Sequence, residues 1–179
     1  MNLADLLGSL ERTPLLLFEL ATGVSDAHMR LRPTAGGFAL VEQIWHLADL
    51  EREGYGERLR RLAAETSPAL ADFDGDRVAR ERHYLELDPR EGLVRFAEAR
   101  AANLLLLDGL APADLHRAGV QEGVGPVTLG DVPRMMVDHD RGHVREVVEL
   151  LEATAPEHAA LPRLRRVLRG FLDGGARAA

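Results

Sequence analysis

The chain of 179 residues contains no cysteine. That absence excludes disulfides, thiolate-ligated zinc, iron–sulfur clusters and any nucleophilic thiol of its own, and it leaves the redox compartment open. Lysine is missing too. All 22 cationic side chains are arginines, which excludes Schiff-base chemistry and the lysine-bearing phosphate loop. Aromatic residues make up only 4% of the chain, and the β-branched, aromatic-rich alternation of strands is nearly absent. Apolar runs such as Leu104–Leu107 fall far short of the ~18 residues of a membrane span. The start, Met1–Asp5, lacks the basic region of a secretory leader. The expectation is a cytoplasmic protein without membrane contact. A net charge of -7 argues against binding nucleic acid by phosphate neutralisation.

What is present suits one soluble core: 46% hydrophobic and 28% charged residues, enough apolar material to fold without covalent staples. The spacing is helical throughout, so the fold class expected is all-α. Leu3, Leu6, Leu7 and Leu10 trace one helical face, followed by a denser apolar run, Leu15 to Leu20. Between them Pro14 either kinks one long helix or opens a second. After the loop Arg32–Gly37, helical spacing returns from Leu40 to Ala64. Ser67 to Asp76 reads as a long connection; its acidic cluster places glycine fourth, which fails the EF-hand pattern. Asp88-Pro89 opens a third helix, with a capping carboxylate and proline at the first helical position, running to about Leu110. A glycine-rich loop follows, and a fourth helix starts at Thr128 or Asp131 and continues through Leu151. A shorter arginine-rich helix over 162–172 closes the chain, with Gly174–Arg177 as tail. Four main helices with two long connections predict a bundle of up-down-up-down or crossover type, a natural host for a metal in its core.

Histidines are the candidate ligands. His139 and His143 lie four apart, so on a helix both rings project from one side and can share an ion. Seven histidines scattered at random would give about 0.2 such pairs. Both continue the apolar stripe Val132, Met136, Val147 and Leu150, which turns them inward, and His46 sits likewise among Ile44, Leu47 and Leu50. Three histidines from two helices would leave one position of a metal open, as catalytic sites do. Satisfied core histidines without a metal are the alternative. Glu42 and Asp49, at i-4 and i+3 from His46, and Glu146, at i+3 from His143, could reach a neighbouring ring edge, although carboxylates at such spacing are more often solvated or ion-paired. Arg141 should point away from the metal to the surface, and Trp45 belongs to the core or an interface. His28, His83, His116 and His158 have no partner at ligand spacing. The three serines, Ser9, Ser25 and Ser67, lack a nucleophile-elbow context, which argues against a serine hydrolase.

The stretches Glu42-Gln43-Ile44-Trp45-His46-Leu47-Ala48-Asp49-Leu50-Glu51 and Asp138-His139-Asp140-Arg141-Gly142-His143 resemble, in order and spacing, the two signature helices of the DinB/YfiT-like superfamily. Shorter matches accompany them: Glu11–Pro14, Arg32-Pro33, Phe73-Asp74 and Gly125–Leu129. Ala39 departs from the small hydroxyl residue that often precedes the second helix, a change at a cap and not at a ligand. The likeness covers residues 1–152, the expected four-helix bundle, and leaves 153–179 as an additional short C-terminal helix and tail.

The resemblance implies a divalent ion, zinc or nickel, on His46, His139 and His143. It also implies an S-transferase or isomerase that uses a low-molecular-weight thiol, such as glutathione, mycothiol or bacillithiol, on a small electrophile. Other members have been described as metal-dependent hydrolases, and a non-catalytic, stress-associated metal-binding bundle is a third role. A homodimer is compatible with the fold. Three neutral imidazoles leave the charge of an ion uncompensated, so an anion such as a thiolate suits the open position. With no cysteine in the chain, that thiolate must come from a cosubstrate, and water is the competing nucleophile.

Overall fold

The computed structural model describes residues 2–33, 36–159, 161–162 and 165–166. α1 (Leu3–Ala21) opens on a capping box, in which the Asn2 side chain accepts from the Asp5 N–H at 2.9 Å and the Asp5 carboxylate accepts from the Asn2 N–H at 3.2 Å. It is one continuous helix through Pro14, with Leu6, Leu10, Leu16, Leu17 and Leu20 buried and Leu15 and Phe18 exposed. A single turn, α2 (Asp26–Met29), is capped by Ser25. The helix expected over 40–64 is a continuous rod with a widened centre: α3 (Leu40–Asp49) passes through a π-helical stretch, Leu50–Tyr55, into α4 (Gly56–Ala64). Asp74 caps α5 (Gly75–Glu81) by accepting from the Arg77 N–H at 2.9 Å. α6 (Pro89–Asp108) begins with Asp88 as cap and Pro89 first in the helix, as its sequence dictates. α7 (Val132–Thr154) starts after Asp131, whose carboxylate takes the N–H and the hydroxyl of Thr128 at 2.8 and 2.6 Å.

The connections hold a small sheet that the all-helical reading leaves out. β2 (Ala118–Gln121) and β3 (Gly125–Thr128) form an antiparallel hairpin, and β1 (Ala69–Leu70) joins β2 in parallel. Gly123 and Gly125, at φ +72° and +101°, make the turn at no steric cost. Strands of two to four residues are too short to show a period of two in the sequence.

Cross-helix contacts fix the direction of each helix. Thr13 meets Asp140 and Thr22 meets His158, so α1 and α7 run parallel. Trp45 donates to the Asp88 carbonyl and Glu51 meets Arg100, so α3 and α6 are parallel as well. Gln43 meets Glu146 and His46 meets His139, which makes α3 and α7 antiparallel. The bundle is therefore up-down-down-up, of the crossover type. α1 packs on α6 and α7, and α3 packs on the same two, so α1 and α3 lie across one diagonal of the bundle and α6 and α7 across the other. The C-terminal helix expected over 162–172 lies outside the described residues apart from 162, 165 and 166, while Leu161 is buried in the core beside α1 and α7. No helix among the described residues is long and apolar enough to cross a membrane.

Candidate metal centre

His46 stands on α3 and His139 and His143 on α7, with ring centroids 5.5 Å (His46 to His139), 4.8 Å (His46 to His143) and 4.3 Å (His139 to His143) apart. One nitrogen from each falls in a group whose members all lie within 4.8 Å of one another, and Nε2 of His139 and Nε2 of His143 are 3.0 Å apart. Ligands bonded to one ion at ~2.0–2.1 Å lie within about 4 Å of each other, so the cluster is close to binding geometry. Burial lowers the pKa of His46 to about 4 and that of His139 to about 3, with the neighbouring imidazole of His143 adding to both shifts. Both rings are therefore neutral and carry a free lone pair at physiological pH. Nδ1 of His46 and Nδ1 of His139 are buried without a hydrogen-bond partner. Three imidazoles that each bring one nitrogen within 4.8 Å of the others, two of them neutral, fit a divalent cation.

Gln43 organises His143. Its amide donates to Glu146 at 2.9 Å, which turns its carbonyl oxygen onto Nδ1 of His143. Nδ1 then carries the proton, and Nε2 is left as the lone pair that faces His139. Glu146 lies 3.3 Å from the same Nδ1, and the hydrogen bond from His143 holds its carboxyl down at about 2. Of the three carboxylates singled out by spacing, Glu146 is at the site.

The other two are ion-paired, the commoner outcome for carboxylates at such spacing. Glu42 accepts from the Ala39 N–H at 2.9 Å and pairs with Arg32 at 2.5 Å and 2.8 Å, so it caps α3 from the position where Ala39 offers no side chain. Asp49 takes the Tyr84 hydroxyl at 2.6 Å and the Arg82 guanidinium at 2.5 Å. Both carboxylates are engaged away from the rings. Arg141, expected at the surface, is largely covered, its side chain only 15% exposed. Trp45 is a core residue, its indole N–H bonded to the Asp88 carbonyl at 3.0 Å.

An open cavity of about 560 Å³ lies over the cluster, lined by His46, His143, Gln43 and Glu146, by Phe38 and Phe73, and by the loop around Asp74. Phe38 and Phe73 stand 5.6 and 6.0 Å from the His46 ring. Asp72, Asp74, Asp76 and Glu146 line the cavity and no cationic residue does, so its lining is acidic. Gly75 belongs to the site for a steric reason: a Cβ there would lie 2.6 Å from Nδ1 of His46. Sequence reasoning missed Gly75, because its partner is a ring on another helix. Gln43 carried a faint signal, three residues before His46 in the signature stretch.

Two helices bringing three histidines together in this order of elements is the arrangement that the signature stretches implied, and the profile of the DinB superfamily matches residues 9–147. The chain belongs to the DinB superfamily. A protein of Bacillus licheniformis named "putative metal-dependent hydrolase" is 26% identical over 142 residues, covering 79% of this chain and 80% of the relative. The solved structure of YfiT from Bacillus subtilis, described as "a probable metal-dependent hydrolase with an unusual four-helix bundle topology", superposes with a TM-score of 0.78 at 21% identity, over 84% of this chain and 86% of that one. At that identity the likeness is one of fold. The up-down-down-up order found here is that of a bundle with a long crossover connection.

Proposed function

We propose that this DinB-superfamily chain is a divalent-metal-dependent enzyme acting on small electrophiles, with zinc or nickel held by His46, His139 and His143. The observation that carries this reading is the convergence of one nitrogen from each of three imidazoles beside an open cavity that His46 and His143 line. Bound there, the ion supplies Lewis acidity and favours the deprotonated form of the nucleophile that takes the open position. Gln43 and Glu146 fix the tautomer and angle of His143, and Phe38 and Phe73 wall the cavity beside His46.

Hydrolysis is the reading favoured by the cavity. Its acidic lining disfavours anionic cosubstrates and leaves water as the nucleophile at hand. The names borne by the Bacillus relatives support the same reading. Transfer of a low-molecular-weight thiol is the second reading, favoured by the donor set: three neutral imidazoles leave an ion's charge for a thiolate to balance.

The test begins with the metal content of protein purified without chelator or affinity tag, beside His139→Ala and His143→Ala. The wild type is expected to hold about one equivalent and the variants to lose most of it while staying helical. Metal-replete protein is then given esters and amides in water alone, and separately a monochlorobimane-type electrophile with glutathione, mycothiol and bacillithiol in turn. Turnover in water alone supports the hydrolase, and turnover only with a thiol supports the transferase. Rates equal to those of His143→Ala in every assay would overturn both and leave a metal-holding protein without turnover.

A further inference from the structure

The ligands come from two helices, and something must hold those helices at matching depth. His46 is followed five residues later by Glu51, inside the π-helical stretch, and His139 is followed directly by Asp140. Both carboxylates turn inward to one side chain on a third helix. Arg100 of α6 is 1% exposed. Its Nε and Nη2 donate to the two carboxylate oxygens of Glu51 at 2.9 Å each, and its Nη1 and Nη2 donate to those of Asp140 at 2.8 and 3.0 Å. Nη1 also reaches the carbonyl of Leu10 at 3.0 Å.

The remaining capacity of the carboxylates is filled. Asn103 donates to Glu51 Oε1 at 2.7 Å and to the Glu51 carbonyl at 2.9 Å, which pins the π-helical turn itself, and Thr13 donates to Asp140 at 2.7 Å. Burial works against the charge on Arg100, but Glu51 and Asp140 outweigh it and raise its pKa. Only a planar guanidinium can hold two carboxylates bidentately in one plane of donors. None of Glu51, Arg100, Asn103 and Asp140 lines the cavity over the histidines, so this cluster does not touch a substrate there. What it does is tie the helix of His46 to the helix of His139 and His143.

We propose that Arg100 is a positioning residue of the metal centre: by bridging Glu51 to Asp140 it sets the depth of His46 against His139 and His143. The proposal rests on the metal-site reading above. Arg100→Lys keeps a cation between the carboxylates but loses the fork. A triple variant, Glu51→Gln with Arg100→Met and Asp140→Asn, removes the charges as a unit, so that no unpaired charge is left to unfold the chain. Cobalt(II) serves as probe, its visible ligand-field bands reporting the arrangement of the donor nitrogens and competition with a chromophoric chelator giving affinity.

Both variants are expected to fold, by circular dichroism, yet to bind cobalt(II) ~10–100-fold more weakly than the wild type and with altered bands. Leu62→Ala, a cavity in the apolar cluster near the end of α4, is expected to lower Tm while keeping the wild-type bands and affinity. Wild-type affinity and bands in either folded Arg100 variant would overturn the positioning role alone, as would a spectral change of equal size in Leu62→Ala. A wild-type protein that takes up no cobalt(II) would overturn the metal reading and this proposal with it.

Discussion

Arg100 donates to the carbonyl oxygen of Leu10 at 3.0 Å, and Leu10 is the residue whose helical acceptor Pro14, having no N–H, leaves without a donor four positions on. The proline therefore does not break α1; a guanidinium from α6 takes the place of the missing backbone group. The same guanidinium neutralises Glu51 and Asp140, so one side chain satisfies groups on three other helical segments. On each of the four long helical segments this polar layer lies between two apolar clusters: Leu10 and Leu16 flank Thr13, Leu47 and Tyr55 flank Glu51, Phe96 and Leu107 flank Arg100, and Met136 and Val144 flank Asp140.

Arg100→Met is expected to cost ~3–5 kcal/mol of unfolding free energy, because it strands two buried carboxylates and the Leu10 carbonyl. Adding Glu51→Gln and Asp140→Asn should recover much of that loss by removing the unpaired charges. Urea denaturation of the single and triple variants measures both. A triple variant less stable than the single one would refute the account.

Gln43→Leu removes the carbonyl that orients Nδ1 of His143 and the amide that holds Glu146. Metal affinity should fall ~10–100-fold with Tm of the metal-free protein little changed, as for other groups that orient a ligating imidazole. Chelator competition reads the first quantity and calorimetry the second.

Gly75→Ala is expected to displace the His46 ring, since the new Cβ would come within 2.6 Å of Nδ1. Gly75 has no left-handed backbone requirement, so strain in the chain itself is not the cause. The expected outcome is weaker metal binding in a folded protein. Unchanged affinity in this variant would show that the ring has room to move.

Stability of the chelator-treated protein should fall as pH drops from about 6.5 towards 4. The sign follows from the neutral folded-state imidazoles. Above the ordinary histidine value of 6.5 both states are unprotonated. Below it the unfolded chain takes up protons that folded His46 and His139 refuse until about 4 and about 3, so protons favour unfolding across that window. Tm measured against pH should show this slope, and His139→Gln should flatten it.

The helical bundle and the inward facing of the three histidines are legible in the sequence, because both follow from helical period. Apolar residues at helical spacing select one buried face, and His139 and His143, one turn apart on such a face, must meet whatever lies opposite. Cap chemistry was equally legible, since Asp88, ahead of Pro89, accepts from the N–H of Arg90 only two residues on. Which distant group claims each polar side chain is settled by packing between helices. Glu42 and Asp49 had the spacing to serve His46, but Arg32, ten residues back, and Arg82, thirty-three residues on, took them. Arg100 shows the limit most sharply. In the sequence it is one of 22 arginines on a helix of mixed character. It is buried because the crossover topology sets α6 beside both α1 and α3 and leaves α7 across the diagonal from α6, and that arrangement, which no local period encodes, is what brings Glu51 and Asp140 within reach of one guanidinium.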